Sequence, residues 1–153
     1  MASLGTANYL RQIRTNALKA IEGLSTEQLN KIPDGFNNNI IWNAAHMLIT
    51  QQLLVNKMSG LEVHASSEEI LSYKKGSKPE RKVSDEEIAE IKKRLLTSVD
   101  QFEEDMRAEK YKNFNEYTTS FGVTLKTSKD AMEFNNIHEG LHFGSILALK
   151  KLV

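Results

Sequence analysis

The chain has 153 residues, 40% apolar and 26% charged, with 8 Gly and 2 Pro, which is the size and composition of about one folded domain and not of a long disordered segment. Twenty Lys and Arg balance 20 Asp and Glu, so the formal charge is zero and gives no electrostatic reason to expect a nucleic acid or an anionic membrane as partner. The absence of cysteine excludes disulfides, zinc knuckles, iron–sulfur ligation and a cysteine nucleophile, and leaves histidine and carboxylate as the available metal ligands.

In the first segment Leu10, Ile13, Ala17, Ile21 and Leu24 recur at three and four residues, which predicts a helix from about Thr6 to Gly23 with Arg11, Arg14 and Lys19 on its surface. Ser25 with Gln28 forms a capping-box pair that opens a short helical turn, ended by Pro33, Asp34 and Gly35. Asn37, Asn38 and Asn39 offer N-caps for a second long helix. Its stripes Ile41, Ala44, Leu48, Gln51 or Gln52, Val55 and Trp42, His46, Ile49, Leu53 make it apolar around much of its circumference, as for a central bundle helix, with Gly60 as its stop.

Ser67 to Tyr73 predicts a short connecting helix. Ser84 and Glu87 form a second capping box, and Ile88, Ile91, Leu95, Val99, Phe102 and Met106 then mark one buried face of a third long helix. The stretch Phe114 to Leu125 has no helical period. Thr127 or Ser128 caps a last helix whose inward stripe reads Phe134, His138, Leu141, Ser145, Leu149 and Leu152.

The connections Gly60–Val83 and Tyr111–Thr127 are too long for hairpin turns, so long crossovers are expected, and no repeat or composition shift marks a boundary. The pattern predicts an all-α four-helix bundle forming a single domain over residues 1–153. No stretch reaches the ~18 apolar residues of a membrane span, and Met1 to Gly5 lack a cationic segment leading into an apolar one, which predicts a cytoplasmic protein.

Four histidines are present: His46, His64, His138 and His142. His138 and His142 sit four apart on the last helix, so their Cβ atoms lie roughly 6 Å apart on one face, and His46 falls on the inward stripe of the most apolar helix. Three buried imidazoles each need partners for their ring nitrogens. One divalent ion would satisfy all three, while separate hydrogen bonds to backbone carbonyls would satisfy them singly. Three histidine ligands leave at least one coordination position open, as in reactive sites where a metal ion activates a bound water or thiol and unlike a closed structural zinc. His64, in a polar linker, reads as a surface residue.

His138-Glu139-Gly140-Leu141-His142 also spells the H-E-x-x-H of zinc proteases, but the metzincin continuation would need Gly at 145 and His at 148, where the chain has Ser145 and Ala148. Glu139 is the candidate catalytic residue, as general base, against the alternatives of a solvated side chain or a hydrogen bond to a neighbouring helix. Trp42 suits either the wall of a cleft or the core. Tyr117, Phe121 and Gly122, on the crossover expected to pass the open coordination position, are candidate substrate contacts. Gly140 and Gly144 permit close approach of another helix or of a second subunit, so a homodimer is plausible.

The run Asn39-Ile40-Ile41-Trp42-Asn43-Ala44-Ala45-His46 and the run Asn136-Ile137-His138-Glu139-Gly140-Leu141-His142-Phe143-Gly144 resemble the recurring N-x-I-x-W-x-x-x-H-like and H-x-x-x-H segments of the DinB/YfiT-like bundles. The resemblance covers essentially the whole chain. It implies an up-down-down-up four-helix bundle with long crossovers, holding nickel, zinc or a similar ion on His46, His138 and His142 in a cleft open to solvent. Members of that group with assigned chemistry include mycothiol-dependent isomerases and bacillithiol S-transferases. The expected function is therefore a metal-dependent enzyme of thiol-dependent S-transferase or hydrolase type, using a small-molecule substrate and a low-molecular-weight thiol as cosubstrate. The alternative is a non-catalytic metal- or ligand-binding bundle related to stress.

Overall fold

A computed structural model describes residues 4–153. Four long helices carry it: α1 (Leu4–Ile21), α3 (Ile40–Gln51), α5 (Asp85–Arg107) and α6 (Ser128–Lys150), with short helices α2 (Thr26–Asn30) and α4 (Ser67–Tyr73) in the connections. The all-α bundle read from the sequence is the fold observed. The expected capping pairs Ser25 with Gln28 and Ser84 with Glu87 both close, and of the two candidates for the last helix Thr127 is the cap, in a box with Asp130 that the sequence reading did not name. Asn39 caps α3 through a 2.8 Å bond from the Trp42 N–H to its Oδ1.

Apart from Thr50, every residue of α3 is buried, so this helix is indeed the most enclosed one. Its continuation departs from the plain helix expected up to Gly60. Gln52–Asn56 form a π turn and Lys57–Ser59 a 3₁₀ turn, before Gly60 ends the helix in the left-handed region at φ 73°. Among the described residues no helix is long and apolar enough to cross a membrane.

α1 packs on α5 and α6, and α3 packs on the same two helices. Arg11 reaches Asp100 and Glu103 while Arg14 reaches Leu95 and Ser98, so α1 and α5 run antiparallel; His46 meets His138 and Asn43 meets His142, so α3 and α6 do too. The interior holds two apolar clusters. One gathers Ile21, Leu29, Ile41, Leu48, Ile91, Leu95, Ile146 and Leu149; the other gathers Leu10, Val55, Val99, Phe102, Leu125 and Met132. Burial of each such side chain is worth about 1.5–3 kcal/mol relative to leaving it exposed.

Between the two clusters lies a polar level, and it corrects the expectation that Arg14 is a surface residue. Arg14 and Glu139 are both fully buried and joined by two bonds, Nη2 to Oε1 at 2.6 Å and Nε to Oε2 at 3.1 Å. Nη1 donates to the Ser98 hydroxyl (2.7 Å) and the Leu95 carbonyl (3.3 Å), and Nη2 donates also, at 3.5 Å, to the Met47 carbonyl. Residues of all four long helices therefore meet at Arg14.

That pair also turns α6 away from the stripe expected of it. Ala131, Met132, Asn135, Glu139, Ile146 and Leu149 are buried, whereas Leu141 and Leu152 are exposed. Gly140 and Gly144 face open space, with nothing within 4 Å of an added Cβ, so no helix of the bundle approaches them.

The stretch Phe114–Leu125 contains a small antiparallel hairpin, β1 (Tyr117–Thr118) with β2 (Thr124–Leu125), in the register Tyr117 to Leu125 and Thr118 to Thr124. Gly122 takes a positive φ in its turn, and the Thr119 hydroxyl accepts the N–H groups of Phe121 and Val123. Leu125 plugs into the core, which fixes the hairpin tip above α3 and α6.

Candidate metal centre

His46 from α3 and His138 and His142 from α6 converge, with one ring nitrogen of each within 4.8 Å of the others. The Nε2 atoms of His46 and His138 are 3.2 Å apart. Two nitrogens bound to one tetrahedral zinc ion would stand about 3.3 Å apart, given metal–nitrogen bonds of about 2.0–2.1 Å, so this separation suits a shared ion.

The outer nitrogens argue the same way. A carbonyl oxygen can only accept, so the 2.6 Å contact of His46 Nδ1 with the Tyr73 carbonyl places the proton on Nδ1 and the lone pair on Nε2. His142 Nδ1 makes the corresponding bond, 2.8 Å, to Asn43 Oδ1. The Asn43 amide is itself held by donation from its Nδ2 to Asn38 Oδ1 (2.9 Å) and to the Asn39 carbonyl (2.8 Å). Two imidazoles are thus fixed in the tautomer a metal ligand needs. His138 Nδ1 is buried without a partner, an unsatisfied polar atom next to the cluster.

Burial keeps all three rings neutral. His138 is pushed down to about 3, first by desolvation and then by His142 and His46, and His142 to about 4 by desolvation and then His46. His46 is lowered by burial, against the opposing pull of the Tyr73 carbonyl and Glu139. Neutral imidazole is the ligating form.

The cluster forms one wall of a cleft of about 480 Å³. Trp42 is both of the things the sequence allowed: 6% exposed, yet lining the cleft and stacked on His46 with ring centroids 4.6 Å apart and an 11° tilt. Its indole N–H reaches the Ser72 carbonyl and Ser77 hydroxyl. Leu53, Leu54 and Met58 line the cleft from the continuation of α3, Phe134 and Leu141 from α6, and Tyr117 and Phe121 from the hairpin. Gly122 is not part of the lining. His64 is exposed and lies apart from the three.

Glu139, by contrast, is turned to the other side of α6, against Arg14, and does not line the cleft. Of the alternatives open to it, the hydrogen bond to a neighbouring helix is the one formed. Sequence reasoning missed Asn43 and the Tyr73 carbonyl as orienting groups. A signal existed for the first: an Asn in the middle of an apolar helix must find partners if buried. None existed for the second, which is a backbone atom on a connection 27 residues away.

Four long helices with three convergent histidines beside an open cleft make a helical-bundle protein whose histidine group could hold a metal ion. The sequence profile of the DinB superfamily matches residues 9–146, and the chain belongs to that superfamily. A search of curated proteins found no match to it.

Proposed function

We propose that the protein is a metal-dependent transferase in which His46, His138 and His142 hold a divalent ion, nickel or zinc, and a low-molecular-weight thiol is joined to an electrophilic small molecule in the cleft. The observation that carries this reading is the pair of oriented imidazoles: the Tyr73 carbonyl and Asn43 Oδ1 each accept a hydrogen bond from an Nδ1–H, leaving the Nε2 lone pairs directed into the cluster. A divalent ion bound there supplies a lowered pKa for a thiol or water at its open position. The chain's own residues supply the rest. Trp42, Leu54, Phe121 and Phe134 exclude water and give an apolar substrate a surface to lie on.

Transfer is favoured over hydrolysis because, among the described residues, no Asp or Glu lines the cleft to serve as base for water. Glu139, the one acid in the H-E-x-x-H run, is engaged by Arg14. A thiol gives up its single proton to solvent on binding such an ion, and adding its sulfur to an electrophilic carbon ends with a proton returned from solvent to the electrophile. No carboxylate base is needed for this, whereas a hydroxide still carries a second proton to be removed.

The test is elemental analysis of protein purified without an affinity tag, beside His46→Ala and His138→Ala. Near-stoichiometric metal in the wild type, lost in both variants, supports one site shared by α3 and α6 and justifies screening thiols against electrophiles. No metal, even after titration with zinc and nickel, rejects the reading.

A further inference from the structure

The cleft carries a charge bias that the histidines do not explain. Among the described residues, its only charged lining groups are Lys57 and Lys75, with no carboxylate to offset them. Both lysines are exposed, and among the described residues neither ammonium group pairs with a carboxylate within 4.0 Å, as is true of most lysines of this chain. In a chain whose 20 basic and 20 acidic residues cancel, two lysines and no carboxylate on the lining of one apolar cleft give it a local positive charge that the overall charge does not.

Their places in the fold differ usefully. Lys75 follows Tyr73 by two residues, and the Tyr73 carbonyl holds His46, so this lysine stands at the histidine end beside Gly76 and Trp42. Lys57 lies eleven residues beyond His46 on the continuation of α3, roughly 16 Å along at the helical rise, near Met58 and the hairpin. The apolar side chains of Leu54 and Phe121 border the same cleft.

We propose that the cleft is built for a small organic anion, an apolar molecule bearing a carboxylate, whose charge is favoured by the combined positive field of Lys57 and Lys75 at the two ends of the cleft while its body lies on the apolar lining. This rests on the reading of the cleft as the substrate site, and it names the substrate class. A neutral molecule of the same shape satisfies the apolar lining equally and leaves the lysines without a counter-charge, so discrimination comes from the two ammonium groups.

The experiment compares 4-phenylbutyrate with 4-phenylbutyramide, and octanoate with octanamide, by calorimetry and by the fluorescence of Trp42, the only tryptophan in the chain. It uses metal-free and zinc-loaded full-length protein and the Lys57→Gln/Lys75→Gln double variant, with exposed Lys93→Gln as control. The expected result is that each carboxylate binds metal-free wild type and the control roughly three- to tenfold more tightly than its amide. The preference shrinks with added salt and disappears in the double variant. Equal binding of acid and amide, a preference that survives in the double variant, or no saturable binding of any probe into the millimolar range overturns the proposal. A preference present only with zinc and indifferent to the lysines also overturns it, by placing the carboxylate at the ion. That last outcome leaves the metal reading standing, and elemental analysis judges the metal reading independently.

Discussion

His138 and Glu139 are adjacent in sequence, and both are polar residues on a helix that faces the interior, yet they end in opposite circumstances. Glu139 turns to the dry side of α6, where both carboxylate oxygens are taken by Arg14 and the guanidinium is satisfied in turn by α3 and α5. His138 turns to the cleft, where its Nε2 lies 3.2 Å from that of His46 and its Nδ1 has no partner. The first is a closed account of donors and acceptors; the second is open. A polar group that the fold has fully satisfied holds the fold together, and one set against two other imidazoles on the wall of a cavity is available for a ligand.

The strongest way to break this contrast is to open the closed side. Arg14→Leu or Glu139→Leu leaves an uncompensated buried charge and should cost about 3–5 kcal/mol in chemical denaturation, whereas the double variant recovers most of that loss. Single variants within ~1 kcal/mol of wild type would show that the pair is not what fixes α6.

On the open side, zinc at a hundredfold excess over its Kd should raise the unfolding free energy of wild type by about 2.7 kcal/mol and leave His138→Ala unmoved. A thermal shift of equal size in both proteins would place the zinc elsewhere. Asn43→Ala probes the orienting layer. It removes the acceptor for His142 Nδ1 and should weaken metal binding by about 10–100-fold while the ligands themselves stay intact. Competition with a chelator reads that change directly, and unchanged affinity would mean that the Asn43 bond does not matter to the site.

The smallest effect sharpens the comparison by giving a baseline for local chemistry. Ser84→Ala removes the cap of α5, where the hydroxyl accepts the Glu87 N–H, and should cost about 1 kcal/mol with no change in metal uptake. Loss of metal in that variant would mean that the site responds to any loss of stability.

What could be read from the sequence was whatever rests on neighbours along the chain. The capping pairs Ser25–Gln28 and Ser84–Glu87 and the stop at Gly60 were legible because each is settled within four residues. The three histidines were legible as candidates because i, i+4 spacing on α6 and an apolar setting on α3 are local facts. The rotation of α6 was not. Periodicity alone put Leu141 inside and could not put Glu139 there, because a buried carboxylate depends on Arg14, 125 residues away. The π turn at Gln52–Asn56 and the two-residue strands of the hairpin are too brief to leave a period. The two lysines of the cleft carry no pattern at all and become visible only when the α3 continuation and the α4 connection face the same space.

The bonds that define the histidine cluster span 27, 92 and 99 residues of sequence. Contacts of such separation close late, after the chain has met the entropy of bringing distant segments together. During synthesis the first histidine therefore leaves the ribosome long before the other two exist, and a nascent chain can present His46 but not the cluster. On the proposed reading, acquisition of an ion would in this way be tied to completed folding, and capture of metal would record that α6 has docked.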